Sequence, residues 1–236
     1  GTLPGTAAEI LDDEVRADLC PDKLNTHQWL EVMEAAHDVG FKTTATIMYG
    51  HIESPTHWAR HLLAIRQLQQ RSGGFTEFVP LAFVHMEAPM YLKGKARKGP
   101  TFREALLIHA VARLVFNGLI ENIQVSWVKM GKEGVAAGLN AGANDLGGTL
   151  MNETITRAAG ASHGQEWTPQ SIEAQIEALA REPWQRSTDY QPVSEERHQA
   201  GKKAAPLLEA LNTPATKYER SKSAQPLVKN DLIASS

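Results

Sequence analysis

Apolar positions recur along the chain at two spacings. Thr6-Ala-Ala-Glu9 reads as a capping box, predicting a helix from there to about residue 18, with Pro21 after its end. Over residues 26–39, Trp29, Leu30, Met33 and Ala36 or His37 share one helical face, and Gly40 supplies a stop. Residues 41–48 are β-rich and run into Tyr49-Gly-His51, a strand entering a turn. Helical spacing returns over residues 55–70 (Trp58, Leu62, Ile65, Leu68) and closes at Gly73-Gly74. The alternation then repeats. Residues 77–83 form a short apolar strand, followed by a long loop with His85, Glu87 and Pro89. Thr101-Phe-Arg-Glu104 is a capping box opening a helix to about Phe116. Residues 122–127 read as a strand, 133–140 as a short helix, 145–150 as a glycine-bearing strand, and 155–159 and 168–181 as helices. From Pro183 the chain is polar and proline-punctuated, with one helical patch at 206–211; this reads as a wrapping or loosely ordered extension.

Strand–helix alternation argues for βαβ units and a parallel sheet, an α/β fold. The pattern supplies about four strands, near positions 44, 78, 123 and 146, whereas closing a barrel needs about eight. A small doubly wound sheet and half of a barrel are the alternatives. Doubly wound strands, covered on both faces, are near-continuous Val/Ile/Leu runs. Here Thr44, Thr46, Glu77, Gln124, Ser126 and Asp145 interrupt them, as in strands facing a polar, ligand-holding interior. Half a barrel is the better reading, and its uncovered inner face predicts self-association when isolated.

Composition narrows the class. The chain is 42% hydrophobic and 22% charged with a formal net charge of -3, which gives no case for nucleic acid or an anionic membrane as partner. No apolar run approaches the ~18–20 residues that span a bilayer. The single cysteine excludes an internal disulfide framework. There is no dinucleotide-binding glycine fingerprint and no phosphate-binding loop. Gly1-Thr-Leu-Pro-Gly5 ahead of the capped helix start offers N–H groups suited to a carboxylate or phosphate, and Gly147-Gly148 within a strand suggests a bulge or a close approach to a ligand.

In a parallel barrel, active sites lie after the C-terminal ends of the strands. Those ends carry Tyr49 and His51, His85 and Glu87, Trp127 and Lys129, and Asn152 and Glu153. Each also has a bland reading: His51 as a loop hydrogen-bonder, Glu153 as a helix N-terminal acid, Lys129 as a solvated loop cation. On residue types alone, His51, His85, Glu87 and His163 suggest a metal-dependent hydrolase. His57 and His61 have i,i+4 metal-pair spacing but lie in an amphipathic helix, where a solvated or half-buried face accounts for them.

Several segments together carry a resemblance: Leu3-Pro-Gly-Thr-Ala-Ala-Glu-Ile-Leu11, Cys20-Pro-Asp-Lys23, Thr46-Ile-Met-Tyr-Gly-His51, Gly73-Gly-Phe-Thr-Glu-Phe-Val-Pro-Leu81, Asn122-Ile-Gln-Val-Ser-Trp-Val-Lys129, Ala141-Gly-Ala-Asn-Asp-Leu-Gly-Gly-Thr-Leu-Met-Asn-Glu153 and Arg157-Ala-Ala-Gly-Ala161. The chain resembles the radical S-adenosylmethionine enzymes of deazaflavin and menaquinone biosynthesis. Phe83-Val-His-Met-Glu-Ala-Pro89 and Gly99-Pro-Thr-Phe-Arg-Glu104 favour the FO synthase branch, its second half or the separate tyrosine 4-hydroxyphenyl transferase subunit, over the futalosine enzymes. The resemblance covers about residues 1–190.

It implies a cytoplasmic transferase with a [4Fe-4S] cluster and S-adenosyl-L-methionine. A 5'-deoxyadenosyl radical would take hydrogen from L-tyrosine, whose 4-hydroxybenzyl part passes to 5-amino-6-(D-ribitylamino)uracil. A companion radical enzyme, as domain or subunit, would close the deazaflavin. The family's three-cysteine cluster motif is missing here, and Cys20 matches no cluster position. The chain is therefore expected to be the C-terminal portion, residues 1–182 belonging to the barrel and 183–236 to an extension, and alone to bind no cluster and not turn over. By the same resemblance, Glu9 with the Gly5-Thr6 turn would contact the cosubstrate or the tyrosine amino-acid group, and Tyr49 and His51 would orient substrate. His85, Glu87, Ser126, Lys129, Asn152 and Glu153 would bind the uracil, ribityl or phenol groups. A partner-binding remnant without activity is the remaining alternative.

Overall fold

A computed structural model describes residues 2–150, 153, 155–161 and 166–205. Strands β1 (Thr2–Leu3), β2 (Lys42–Tyr49), β3 (Phe75–Ala82) and β4 (Asn122–Ile123) form one parallel sheet in sequential order. The helices between them are α1 (Asp13–Leu19), α2 (Thr26–Asp38), α3 (Pro55–Ser72), α4 (Pro89–Leu92) and α5 (Phe102–Val115). After β4 come α6 (Trp127–Asn140), α7 (Ile155–Ala158), α8 (Pro169–Glu177) and α9 (Glu195–Lys202). Alternate residues of β2 (Thr43, Ala45, Ile47, Tyr49) are buried. They join Phe78 of β3 and Ile123 of β4 in one core with Trp29 and Met33 of α2, Leu62 and Ile65 of α3, and Ile108 and Ala112 of α5. The register pairs Thr44 with Glu77, Thr46 with Val79 and Met48 with Leu81, so these residues share the opposite, more polar face. Sequential order with helices sharing one face is consistent with part of a TIM-type barrel. A doubly wound sheet would reverse its strand order.

Local chemistry sets the element ends. The Thr101 hydroxyl accepts the Glu104 N–H at 3.2 Å while the Glu104 carboxylate accepts the Thr101 N–H at 2.6 Å, as the sequence predicts. Pro55 opens α3, and Gly73 closes it in the left-handed conformation with φ 61°.

Four expectations need correction. No helix starts at Thr6: Ala7 and Glu9 have φ of 62° and 42°, and α1 begins seven residues later under the Asp12 side chain, which accepts the Glu14 N–H. The cause is Arg16, buried at 3% exposure, whose guanidinium donates to the carbonyls of Ala7, Ala8, Ile10 and Leu24 and bends the 6–12 segment around itself. Nor is the Gly5 N–H available to a ligand. It donates to the Thr44 hydroxyl at 2.9 Å, and the Thr46 hydroxyl donates to the Gly5 carbonyl at 2.6 Å, so these threonines dock the first strand's exit rather than hold a ligand.

The strand predicted at 122–127 stops its ladder at Ile123. Trp127 and Lys129 already belong to α6, because the Lys129 and Met130 N–H groups donate to the Ser126 carbonyl. The strand predicted at 145–150 reduces to one bridge, Gln124 to Asp145. The Asp145 carboxylate accepts the Gly147 N–H at 2.6 Å and turns the chain away. β1 and α9 were not anticipated, and the helical patch at 206–211 lies outside the described residues.

Beyond residue 183 the described chain contacts the sheet. Arg186 donates to Asp145 and, at 3.3 Å, to Glu77 on the polar face of the sheet. Its guanidinium carbon lies 4.2 Å from the Tyr190 ring centroid. No described helix is long and apolar enough to cross a membrane.

Candidate functional site

The C-terminal ends of β1, β2 and β3 open into a cavity of about 290 Å³ lined by Glu9, Cys20, Asp22, Lys23, Met48 and Phe83, among others. Beside it, a second cavity of about 330 Å³ runs from the segment after β3 to the start of α6, where Phe83, His85, Lys98, Phe102, Lys129 and Met130 line it. Phe83 is a wall of both. The first cavity carries an ion pair, Lys23 Nζ to Glu9 Oε1 at 2.6 Å. Among the described residues, the second is lined by two lysines and no carboxylate. Burial lowers the Lys129 ammonium from its ordinary range, against the attraction of Glu153.

The sequence-predicted residues divide into two sets. Glu9, His85 and Lys129 line these cavities. Tyr49 instead points into the core, edge-on to Trp58 at 5.7 Å, with its hydroxyl buried. His51 has a fully buried side chain whose Nδ1 accepts the Ile52 N–H at 2.8 Å and whose Nε2 lies 3.0 Å from the Met48 carbonyl. Both ring nitrogens are thus committed to the turn, and burial pushes its pKa down, so the ring stays neutral. His51 positions the loop and the Phe83 ring, edge-on at 6.0 Å, rather than reaching a ligand.

Ser126 is buried at the N-cap of α6, and lines neither cavity. The Glu153 carboxylate accepts the Thr156 N–H at 2.9 Å, capping α7. Glu87 is exposed, and its N–H donates to the Ala159 carbonyl at 3.2 Å, joining the loop after β3 to α7. Asn152 and His163 lie outside the described residues.

The hydrolase set of His51, His85 and Glu87 is not assembled. Among the described residues, the metal-capable group is Asp12, Glu14 and His57. There the Arg60 guanidinium already sits 2.9 Å from Asp12 and 3.7 Å from Glu14, supplying the cation. His61, expected on a solvated or half-buried face, is fully buried, and its Nδ1 accepts the Leu11 N–H at 2.9 Å. Desolvation of a charged imidazole inside the core pushes its pKa down to about 3.

Sequence reasoning missed the frame under the cavities. Glu53, with no exposed side-chain surface, accepts the Gly50, His51 and Trp58 Nε1 hydrogens and pairs with Arg97, which also holds Glu104. Burial opposes this charge, but the three N–H donors outweigh it and hold the carboxyl below its usual range. One glutamate thus joins the turn after β2 to the loop before α5. The signal was modest: an acid two residues after His51 beside a helix-opening Ser-Pro.

The family model described as the CofH/MqnC C-terminal region matches residues 72–199. The FO synthase of Mycobacterium leprae is 53% identical over 189 residues, covering 80% of this chain and 22% of that protein. The 5-amino-6-(D-ribitylamino)uracil--L-tyrosine 4-hydroxyphenyl transferase of Methanocaldococcus jannaschii is 51% identical over 189 residues, covering 80% of this chain and 53% of that protein. The FO synthase of Streptomyces coelicolor is 51% identical over 201 residues, 85% of this chain and 23% of that protein. The chain thus spans about half the length of the transferase and less than a quarter of the synthases. The match takes in β3, the segment after it, and α6, the elements that build the second cavity, and extends over more than half of the sequence. The chain belongs to the CofH/MqnC C-terminal region family.

Proposed function

We propose that this chain supplies the C-terminal part of a (β/α) barrel transferase of deazaflavin synthesis, which transfers the 4-hydroxybenzyl group of L-tyrosine to 5-amino-6-(D-ribitylamino)uracil. Residues 1–182 form its share of the barrel and 183–236 an extension, whose described part meets the sheet through Arg186. The carrying observation is the pair of cavities at the strand ends that share Phe83 as a lining residue. A radical transferase must hold its cosubstrate beside the substrate that yields the hydrogen, aligned and away from bulk water.

The chain's own residues bind and orient. Glu9, Asp22 and Lys23 present both charge signs, the complement of an amino-acid head group such as that of S-adenosyl-L-methionine. His85 and Lys129 face the second reactant. The cluster does not fit this chain. Cys20 is its single cysteine, buried at the end of α1, and burial raises its thiol pKa, whereas a [4Fe-4S] cluster needs several thiolates. Cluster and cosubstrate together supply radical initiation, and the cluster's ligands come from outside this chain. The companion deazaflavin-closing enzyme is the partner, and the cytoplasm the compartment.

The test is adduct formation by the reconstituted full-length protein with S-adenosyl-L-methionine, reductant, tyrosine and the ribitylaminouracil, followed by mass spectrometry. A tyrosine-dependent adduct is expected. Turnover of futalosine-type substrates in its place would refute the assignment.

A further inference from the structure

Resting on that transferase reading, we propose that the cavity between His85 and Lys129 is the site of the aromatic amino acid, with Lys129 receiving its carboxylate. Charge is the first argument. The described residues lining this cavity include Lys98 and Lys129 but no acid, whereas the neighbouring cavity has Glu9 and Asp22 against one lysine. An anionic group is favoured in the second cavity and a cationic one in the first.

Lys98 is exposed at the rim, but Lys129 is half-buried in the single turn of α6 that precedes its break at Gly131, where φ is 65° and ψ -179°. Its nearby counter-charge, Glu153, already accepts the Thr156 N–H. A desolvated ammonium gains most from an incoming carboxylate in such low-dielectric surroundings. Shape is the second argument. Phe83, Phe102 and Met130 give the rest of the cavity apolar walls, suited to a ring attached to the charged end. Of the reactants, L-tyrosine is the smallest and joins a carboxylate to an aromatic ring, while the ribitylaminouracil carries no ionised acid. Placing tyrosine here puts it against Phe83, across which the cosubstrate would lie.

The experiment measures binding of L-tyrosine, tyramine and the ribitylaminouracil to the reconstituted full-length protein by calorimetry, alongside KM for each substrate. Lys129→Met is expected to weaken L-tyrosine binding at least tenfold and raise its KM similarly. Tyramine, which lacks the carboxylate, is expected to bind the variant and the wild type alike, and KM for the aminouracil to stay within twofold. Lys129→Arg should recover part of the tyrosine affinity, and an unchanged melting temperature excludes misfolding. Unaltered tyrosine binding in Lys129→Met, or a selective loss of aminouracil binding, would overturn the assignment while leaving the transferase reading intact. A wild-type protein that binds neither substrate would overturn both.

Discussion

Replacing Arg186 with methionine tests how the extension is held to the sheet. The guanidinium lies between two carboxylates that are nearly inaccessible, Glu77 at 4% and Asp145 at 10% side-chain exposure. Burial first, and then the charge of Asp145, push Glu77 up to about 7 even with Arg186 beside it. Removing the cation leaves two like charges in one poorly hydrated site. Breaking a buried pair costs about 3–5 kcal/mol. The Arg186 side chain is 27% exposed, so screening reduces this to roughly 2–4 kcal/mol at pH 8. At pH 5.5 Glu77 is protonated in both proteins, one charge remains, and the cost falls to about 1 kcal/mol, the worth of the lost hydrogen bonds.

The sign follows from the raised Glu77 pKa. The folded state holds this proton more tightly than the unfolded chain, whose value is 4.5. Its stabilising contribution is therefore full below pH 4.5 and lost as pH rises through 7. Without Arg186 that loss runs on to higher pH, so the gap between variant and wild type must widen from pH 5.5 to pH 8. At roughly 2–4 °C per kcal/mol for a domain of this size, melting of the full-length protein should show a deficit of about 4–16 °C at pH 8 and a few degrees at pH 5.5. Adding Glu77→Gln to Arg186→Met should restore much of the pH 8 deficit. Equal deficits at the two pH values, or none, would refute the reasoning.

Three further outcomes are expected. Glu53→Gln replaces a buried carboxylate that accepts three N–H groups and pairs with Arg97. It should cost about 2–4 kcal/mol and speed hydrogen exchange at both 50–53 and 97–104; a change confined to one loop contradicts the clamp. Because the Glu53 pKa is held down, its contribution is present above pH 4.5 and lost as pH falls through the folded value. His61→Leu leaves the Leu11 N–H without its acceptor and should cost about 1–3 kcal/mol at pH 8. With its pKa at about 3 against 6.5 unfolded, His61 contributes stability that is full above pH 6.5 and declines below it, so the variant's melting temperature should fall less steeply between pH 6.5 and 4.5; parallel slopes would count against a neutral core imidazole. Gly5→Ala places a methyl 2.1 Å from the Thr44 carbonyl oxygen, so limited proteolysis near residues 3–8 should quicken markedly, and wild-type resistance there would show that the approach is not tight.

What was legible in the sequence, and what was not, divides by the range of the interactions. Helices α2, α3 and α5 follow from signals local to each end, such as Thr101 with Glu104 at the start of α5, or Pro55 and Gly73 at the two ends of α3, and local chemistry of that kind is written in sequence order. The Thr6 capping box is equally good locally and fails, because Arg16 and the Thr44 and Thr46 hydroxyls claim that segment from 8 to 41 residues away. Among the candidate site residues the same rule separates His85 and Lys129 from Tyr49 and His51. All four lie near the ends of β-rich segments, but strand alternation sends Tyr49 toward the helices, and the Gly50 turn with φ 97° folds His51 back onto Met48. A strand end marks only where a cavity opens; the parity of the last residues, and the turn after them, decide which side chains enter it. The polar interruptions that favoured half a barrel are explained in part by the extension. Glu77, Gln124 and Asp145 form one hydrogen-bonded and ion-paired group with Arg186, a partner 109 residues from Glu77 that no periodicity within the strands could have revealed. Their polarity therefore serves docking of the chain's own later segment, at the end of the strands away from the cavities.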